Sequence, residues 1–165
     1  MTASPQENAA AQLRARFADR SAAVAVIGLG YVGLPLVLAV HAAGFRTLGF
    51  DIDAEKIALL AAGKSYLNTV PAERIAALRA TGRFSATADF VRLGEADAIL
   101  IAVPTPLDRH REPDLTFVVK TAEKIAGTLR PGQLVVLEST TYPGTTRDAV
   151  KPILEARGLV SGRDF

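Results

Sequence analysis

An α/β architecture, a doubly wound parallel sheet with helices on both faces in a single domain, is what this sequence predicts. Three observations lead there. Strand and helix signals alternate along the whole chain, the strands are near-continuous apolar runs, and the glycines fall where strands give way to helices. The 165 residues fit one domain.

Residues 1–21 read as a leader helix or tail, in which residues 5–19 are Ala-rich and Leu13 and Phe17 share one helical face. Ala22–Ile27 is a β-branched run ending in glycines, so it reads as the first strand. Tyr31–Ala43 is helical and stops at Gly44. Phe45–Asp51 is the second strand. Asp53 can cap a helix through Ala62, and Pro71 can start another through Ala80. Phe84–Ala86 is a short strand, Ala96–Val103 a strong apolar one. A Pro-rich loop follows over 104–113. Asp114 can cap a helix over Leu115–Leu129, Pro131-Gly132 is a turn, and Leu134–Glu138 is a strand. A helix over Thr145–Ala156 comes next, and residues 163–165 read as the entry to a further strand.

Composition excludes several function classes. There is no cysteine, hence no disulfide framework, thiolate metal site or cysteine nucleophile within these residues. A net charge of +2 is too small to argue for nucleic acid. The N-terminus lacks the apolar core of a secretory signal, which favours a cytoplasmic chain. The uncharged run Ala22–Val40 is broken by Gly28, Gly30, Gly33 and Pro35, so it reads as strand, turn and helix rather than a membrane span.

The residues that carry chemistry sit at strand ends. Gly28-Leu29-Gly30-Tyr31-Val32-Gly33 is a G-x-G-x-x-G after a strand and before a helix. The first glycine permits a tight turn, the second lets backbone approach a pyrophosphate, and the third lets helix and strand pack closely. The helix N-terminus then offers N–H donors and a positive dipole end to the phosphates. Asp51 follows Gly33 by 18 residues, at the end of the second strand. Its carboxylate can accept from both adenosine ribose hydroxyls and repels a 2′-phosphate, favouring NAD over NADP. Lys56 blurs that preference, since a nearby cation helps a phosphate. The competing reading gives the glycines a packing role alone and makes Asp51 and Asp53 caps.

Two further strand ends are unusual. Val103-Pro104-Thr105-Pro106-Leu107 fixes a hydroxyl between two prolines, which serves either a cofactor or a rigid surface turn. Glu138-Ser139-Thr140-Thr141-Tyr142-Pro143-Gly144-Thr145-Thr146 is dense in hydroxyls, which can line a nicotinamide site or cap the helix that follows. His41 reads as a packed or surface helix residue and His110 as a solvated loop residue. No residue is assigned a catalytic or metal-ligating role.

With Val24–Leu36, Gly49–Asp53, Glu112–Asp114, Gly158–Val160 and Gly162–Asp164, these motifs resemble the UDP-sugar 6-dehydrogenases over residues 23–165, most closely the UDP-N-acetylglucosamine 6-dehydrogenases. The resemblance implies a Rossmann-like NAD-binding domain over 22–165. It implies NAD contacts at Tyr31, Val32, Asp51, Thr105 and Thr146, with Lys56 and Thr140 as further matches beside Gly28, Gly30 and Gly33. It also implies an enzyme of polysaccharide biosynthesis that oxidises the sugar C6 alcohol to a carboxylate with two NAD, acting as a homodimer on a UDP-sugar. The family's cysteine, lysine and sugar-nucleotide domain lie in later segments. The expectation is therefore a cofactor domain that binds NAD without turnover and self-associates through a face left uncovered. The alternatives are a free-standing dinucleotide-binding regulatory module and a degenerate subunit.

Overall fold

A computed structural model describes residues 5–165, apart from 108 and 110. Helix α1 (Pro5–Ala18) precedes β1 (Ala23–Ile27), α2 (Gly33–Ala42), β2 (Arg46–Phe50), α3 (Ala54–Ala61), α4 (Ala72–Ala80) and β3 (Phe84–Thr87). A 3₁₀ turn (Phe90–Glu95), β4 (Ala98–Ile101), α5 (Thr116–Ala126), β5 (Leu134–Leu137), a π-helical turn (Thr146–Val150) and α6 (Lys151–Glu155) complete the chain. The strands form one parallel sheet in the order β3-β2-β1-β4-β5.

Because side chains alternate along each strand, the sheet has two apolar faces. Ala25, Ile27, Leu48, Phe50, Ile99 and Ile101 pack with Val118, Ala122 and Ile125 of α5 and Leu154 of α6. Val26, on the other face, packs with Leu34, Val37 and Leu38 of α2, Leu60 of α3 and Ile75 and Leu78 of α4. Helices thus cover both faces, as the sequence predicts.

The registers align Ile27, Phe50, Thr87, Ile101 and Leu137 along one edge. The residues just beyond them are the three candidate strand ends. The sheet runs outward from β1 to β3, then crosses to β4 and β5, so the switch point lies between β1 and β4. Ligands of such sheets bind outside the carboxyl ends there.

At the opposite end, α1 is tied down by one carboxylate. Asp97 accepts from Arg16 Nη1 at 2.6 Å, Arg130 Nη2 at 2.9 Å and the Ala23 N–H at 2.8 Å. Phe17 of α1 meets the Phe45 ring edge-on at 5.7 Å.

Some boundaries differ from the sequence reading. Helix α2 starts at Gly33, not Tyr31, because residues 30–32 form the turn. Strand β4 is confined to Ala98–Ile101, and α5 ends at Ala126. The helix expected over Thr145–Ala156 divides: Lys151 N–H reaches back to Thr146 O, a π-type bond, just before Pro152, which has no N–H to continue an α ladder. Residues 163–165 form a turn rather than a strand entry. Asp164 O accepts from Gly132 N–H at 2.7 Å, and Phe165 O accepts from Gly162 N–H at 2.9 Å. The 3₁₀ turn, capped by Asp89 Oδ1 on Val91 N–H at 3.1 Å, has no counterpart in the sequence reading. His41 is buried, its Nε2 3.1 Å from Thr81 Oγ1. His110 lies outside the described residues. Among the described residues, no helix is long and apolar enough to cross a membrane, and no group of three His, Cys, Asp or Glu is placed to hold a metal.

Candidate dinucleotide site

A cleft of about 760 Å³ opens at the switch point, lined by Gly28, Gly30, Tyr31, Val32, Asp51, Lys56, Thr105 and Thr140 among others. Eight of the ten expected cofactor residues therefore meet in one place. Gly33 lies beneath the turn. Thr146 is not in the cleft; it lines a separate pocket of about 180 Å³ with Leu134, Val150 and Phe165.

The three glycines have three different local reasons. Gly28 has φ +90°, and a Cβ there would meet Ala102 O at 2.6 Å, so the turn needs both the left-handed backbone and the close approach to the end of β4. A Cβ at Gly33 would lie 1.7 Å from Gly28 O, so α2 could not pack against the turn. Gly30 is the exception: its φ is not positive, and a Cβ would meet nothing within 4 Å. The protein itself does not require glycine at that position. The space kept clear opens into the cleft, as a cradle for an incoming backbone or phosphate does.

The N–H groups of Gly30, Tyr31 and Val32 donate to no described residue. They are the unpaired donors that precede a helix, and Tyr31 and Val32 stand 76% and 60% exposed around them. An anion fits this arrangement.

Asp51 is nearly buried at the end of β2. Oδ2 accepts from Leu29 N–H at 2.9 Å and Oδ1 from Asp53 N–H at 3.0 Å, while Lys56 Nζ lies 3.4 Å from Oδ2. A carboxylate has about four acceptor positions, so the protein leaves at least one free, and the long lysine contact can yield to a hydroxyl. Lys56 thus neutralises Asp51 rather than standing as a free cation for a 2′-phosphate. Asp53 caps α3, accepting from Glu55 and Lys56 N–H.

The two later loops are joined. Thr105 Oγ1 donates to Thr140 O at 2.7 Å, tying the end of β4 to the end of β5. The hydroxyl row divides by role. Ser139 Oγ donates to Val103 O at 2.8 Å and Thr145 Oγ1 to Tyr142 O at 2.8 Å, both structural, while Thr140 faces the cleft.

Sequence reasoning missed one wall. Phe117, Lys120, Thr121 and Lys124 of α5 line the cleft with Phe90, and Lys124 Nζ sits 4.0 Å from the Phe90 ring centroid. Their spacing places them on one helical face, but only packing decides that this face meets the cleft. Tyr66 and Leu67, from the loop after α3, also line it. No sequence signal marks them.

Comparisons with known proteins agree with this fold. Residues 22–164 match the UDP-glucose/GDP-mannose dehydrogenase family, NAD binding domain. UDP-N-acetyl-D-glucosamine 6-dehydrogenase of Pseudomonas aeruginosa is 43% identical over 144 residues, which cover 86% of this chain and 33% of that protein. Protein CapL of Staphylococcus aureus is 39% identical over 86% of this chain and 32% of its own length. The ternary complex of GDP-mannose dehydrogenase from Pseudomonas aeruginosa superposes with a TM-score of 0.82 at 32% identity, covering 86% of this chain and 34% of that one. The chain thus spans about a third of the length of these relatives. With its glycine turn, Asp51 and parallel sheet in place, this chain belongs to the UDP-glucose/GDP-mannose dehydrogenase family, as its NAD-binding domain.

Proposed function

We propose that this domain serves an NAD-dependent enzyme that oxidises the C6 alcohol of a UDP-sugar to a carboxylate, with UDP-N-acetylglucosamine as the substrate. The observation that carries the cofactor part is Gly30, a glycine that the fold itself does not require and that lines the cleft. The choice of sugar is supported by the 43% identity to the Pseudomonas aeruginosa enzyme of that name.

When bound, NAD supplies a hydride acceptor for the carbon being oxidised. The chain's own residues bind and orient it. The free N–H groups of residues 30–32 and the α2 N-terminus hold the pyrophosphate. Asp51 accepts from the adenosine ribose and disfavours a 2′-phosphate. The linked loops at Thr105 and Thr140 wall the opposite end of the cleft. Lys56, Lys120 and Lys124 balance the carboxylates of Asp51, Asp53 and Glu138 around it. Any thiol-dependent step needs a residue outside these 165, which include no cysteine. A UDP-sugar and a second copy of the complete enzyme are the proposed partners, and the cytoplasm the proposed compartment, in polysaccharide precursor synthesis.

The test is a turnover assay of the complete gene product with NAD and UDP-N-acetylglucosamine, UDP-N-acetylmannosamine or UDP-glucose. Two NADH per uronate formed, fastest with UDP-N-acetylglucosamine, is the expected result. NAD binding without turnover on any of the three would instead favour a regulatory binding module.

A further inference from the structure

The loop between α3 and α4 contributes a side chain that no motif identifies. Tyr66 donates its hydroxyl to Leu29 O at 2.6 Å, across the cleft wall from the glycine turn. Asp51 Oδ2 accepts from the N–H of the same residue at 2.9 Å. The Leu29 side chain is fully buried, and its methyls lie 3.1 Å from where a Cβ on Gly49 would stand. Leu29 is therefore held by its N–H, its carbonyl and its side chain.

The carbonyl bond has a directional consequence. Leu29 C=O and Gly30 N–H belong to one peptide plane, and in a trans peptide they point opposite ways. Fixing the carbonyl fixes the aim of the Gly30 N–H, which donates to no described residue. Tyr66 also keeps its proton under all ordinary conditions: burial, with the nearby charges of Asp51 and Asp53, pushes its pKa up.

We propose that Tyr66 is a positioning residue for dinucleotide binding: through Leu29 O it aims the Gly30 N–H at the pyrophosphate. The proposal rests on the cleft being the dinucleotide site. It concerns the phosphate half of the ligand, so the ligands that test it are NAD, ADP and adenosine, the last having no phosphate.

The experiment compares wild type, Tyr66→Phe and Ser65→Ala in the 165-residue chain, by calorimetric titration with each ligand at low temperature. Tyr66→Phe is expected to weaken NAD and ADP about fivefold, the worth of one ordinary hydrogen bond, and to leave adenosine unchanged. Its Gly30 and Tyr31 amide resonances should shift in a ¹H–¹⁵N spectrum of the free protein. Ser65→Ala loosens the same loop, where Ser65 Oγ bonds Leu67 O and N–H at 3.1 and 3.2 Å, but keeps the phenol. It should leave all three affinities unchanged. An equal loss for all three ligands, no loss, the same pattern from Ser65→Ala, or a Tyr66→Phe chain that does not fold would overturn the positioning role while the cleft reading stands. Failure of the wild type to bind NAD and ADP would overturn the cleft reading itself.

Discussion

Gly30 and Gly33 belong to the same short motif but should respond to alanine in opposite ways. At Gly33 an added methyl would lie 1.7 Å from Gly28 O, which is backbone and cannot swing aside. Overpacking of this kind costs about 3 kcal/mol at the upper end of the usual range, a fall of roughly 6–12 °C in the melting midpoint of a chain this size. At Gly30 the methyl meets nothing within 4 Å and the φ suits alanine. Loss of unfolded-state freedom should then stabilise the fold by about 0.4–1 kcal/mol. The same methyl projects into the space assigned to the pyrophosphate. Displacing a ligand from a tight contact at about 1–3 kcal/mol weakens NAD roughly 5- to 150-fold. Thermal melts without ligand and calorimetric titration with NAD read both quantities. A Gly30→Ala chain that binds NAD like wild type, or a Gly33→Ala chain that melts like wild type, would refute the reasoning.

Three further outcomes follow from other parts of the molecule. Asp97→Ala should lower stability by about 1–3 kcal/mol in urea melts, because it leaves the buried Ala23 N–H without its acceptor and removes the partner of two half-exposed arginines; Arg16→Ala, whose side chain is 46% exposed, should cost no more than about 1 kcal/mol. His41 is held neutral by burial and by the Arg83 charge, its pKa below the ordinary 6.5. The unfolded chain thus takes up a proton that the folded chain refuses, and stability should fall as pH drops below 6.5 through the folded value; His41→Phe should remove that part of the slope in paired urea melts, and an unchanged slope would contradict it. Strand β5 pairs on one side only, with Leu134 42% exposed. Sedimentation should therefore show mass rising from micromolar to millimolar concentration, and Leu134→Lys should suppress it; a monomer throughout would refute this.

What the sequence displayed, and what it hid, has a physical pattern. The glycine turn, Asp51 and the Thr105 and Thr140 loops were legible because parallel strands end at one edge, and each motif directly follows a strand. Proximity along the chain then became proximity in space. Thr146 shows the limit: it lies beyond the turn through Gly144, on a π-helical segment whose phase differs from a regular helix, and its side chain meets the β5 side instead. Phe90 and Tyr66 were invisible for another reason. Each sits in a connection whose path depends on tertiary packing, and neither belongs to a periodic pattern. The differing roles of the three glycines also needed coordinates, since only neighbouring atoms separate a glycine the backbone requires from one a ligand requires.

Titration of NAD and then NADP into the folded 165-residue chain tests the central claim most directly. One saturable site for NAD is predicted, with NADP weaker by about tenfold or more, because the Asp51 carboxylate at the end of β2 accepts from ribose hydroxyls and repels a 2′-phosphate, while Lys56 is engaged with Asp51 rather than free to bind that phosphate. An absence of saturation with NAD up to millimolar concentration, or NADP binding as tightly as NAD, would contradict it.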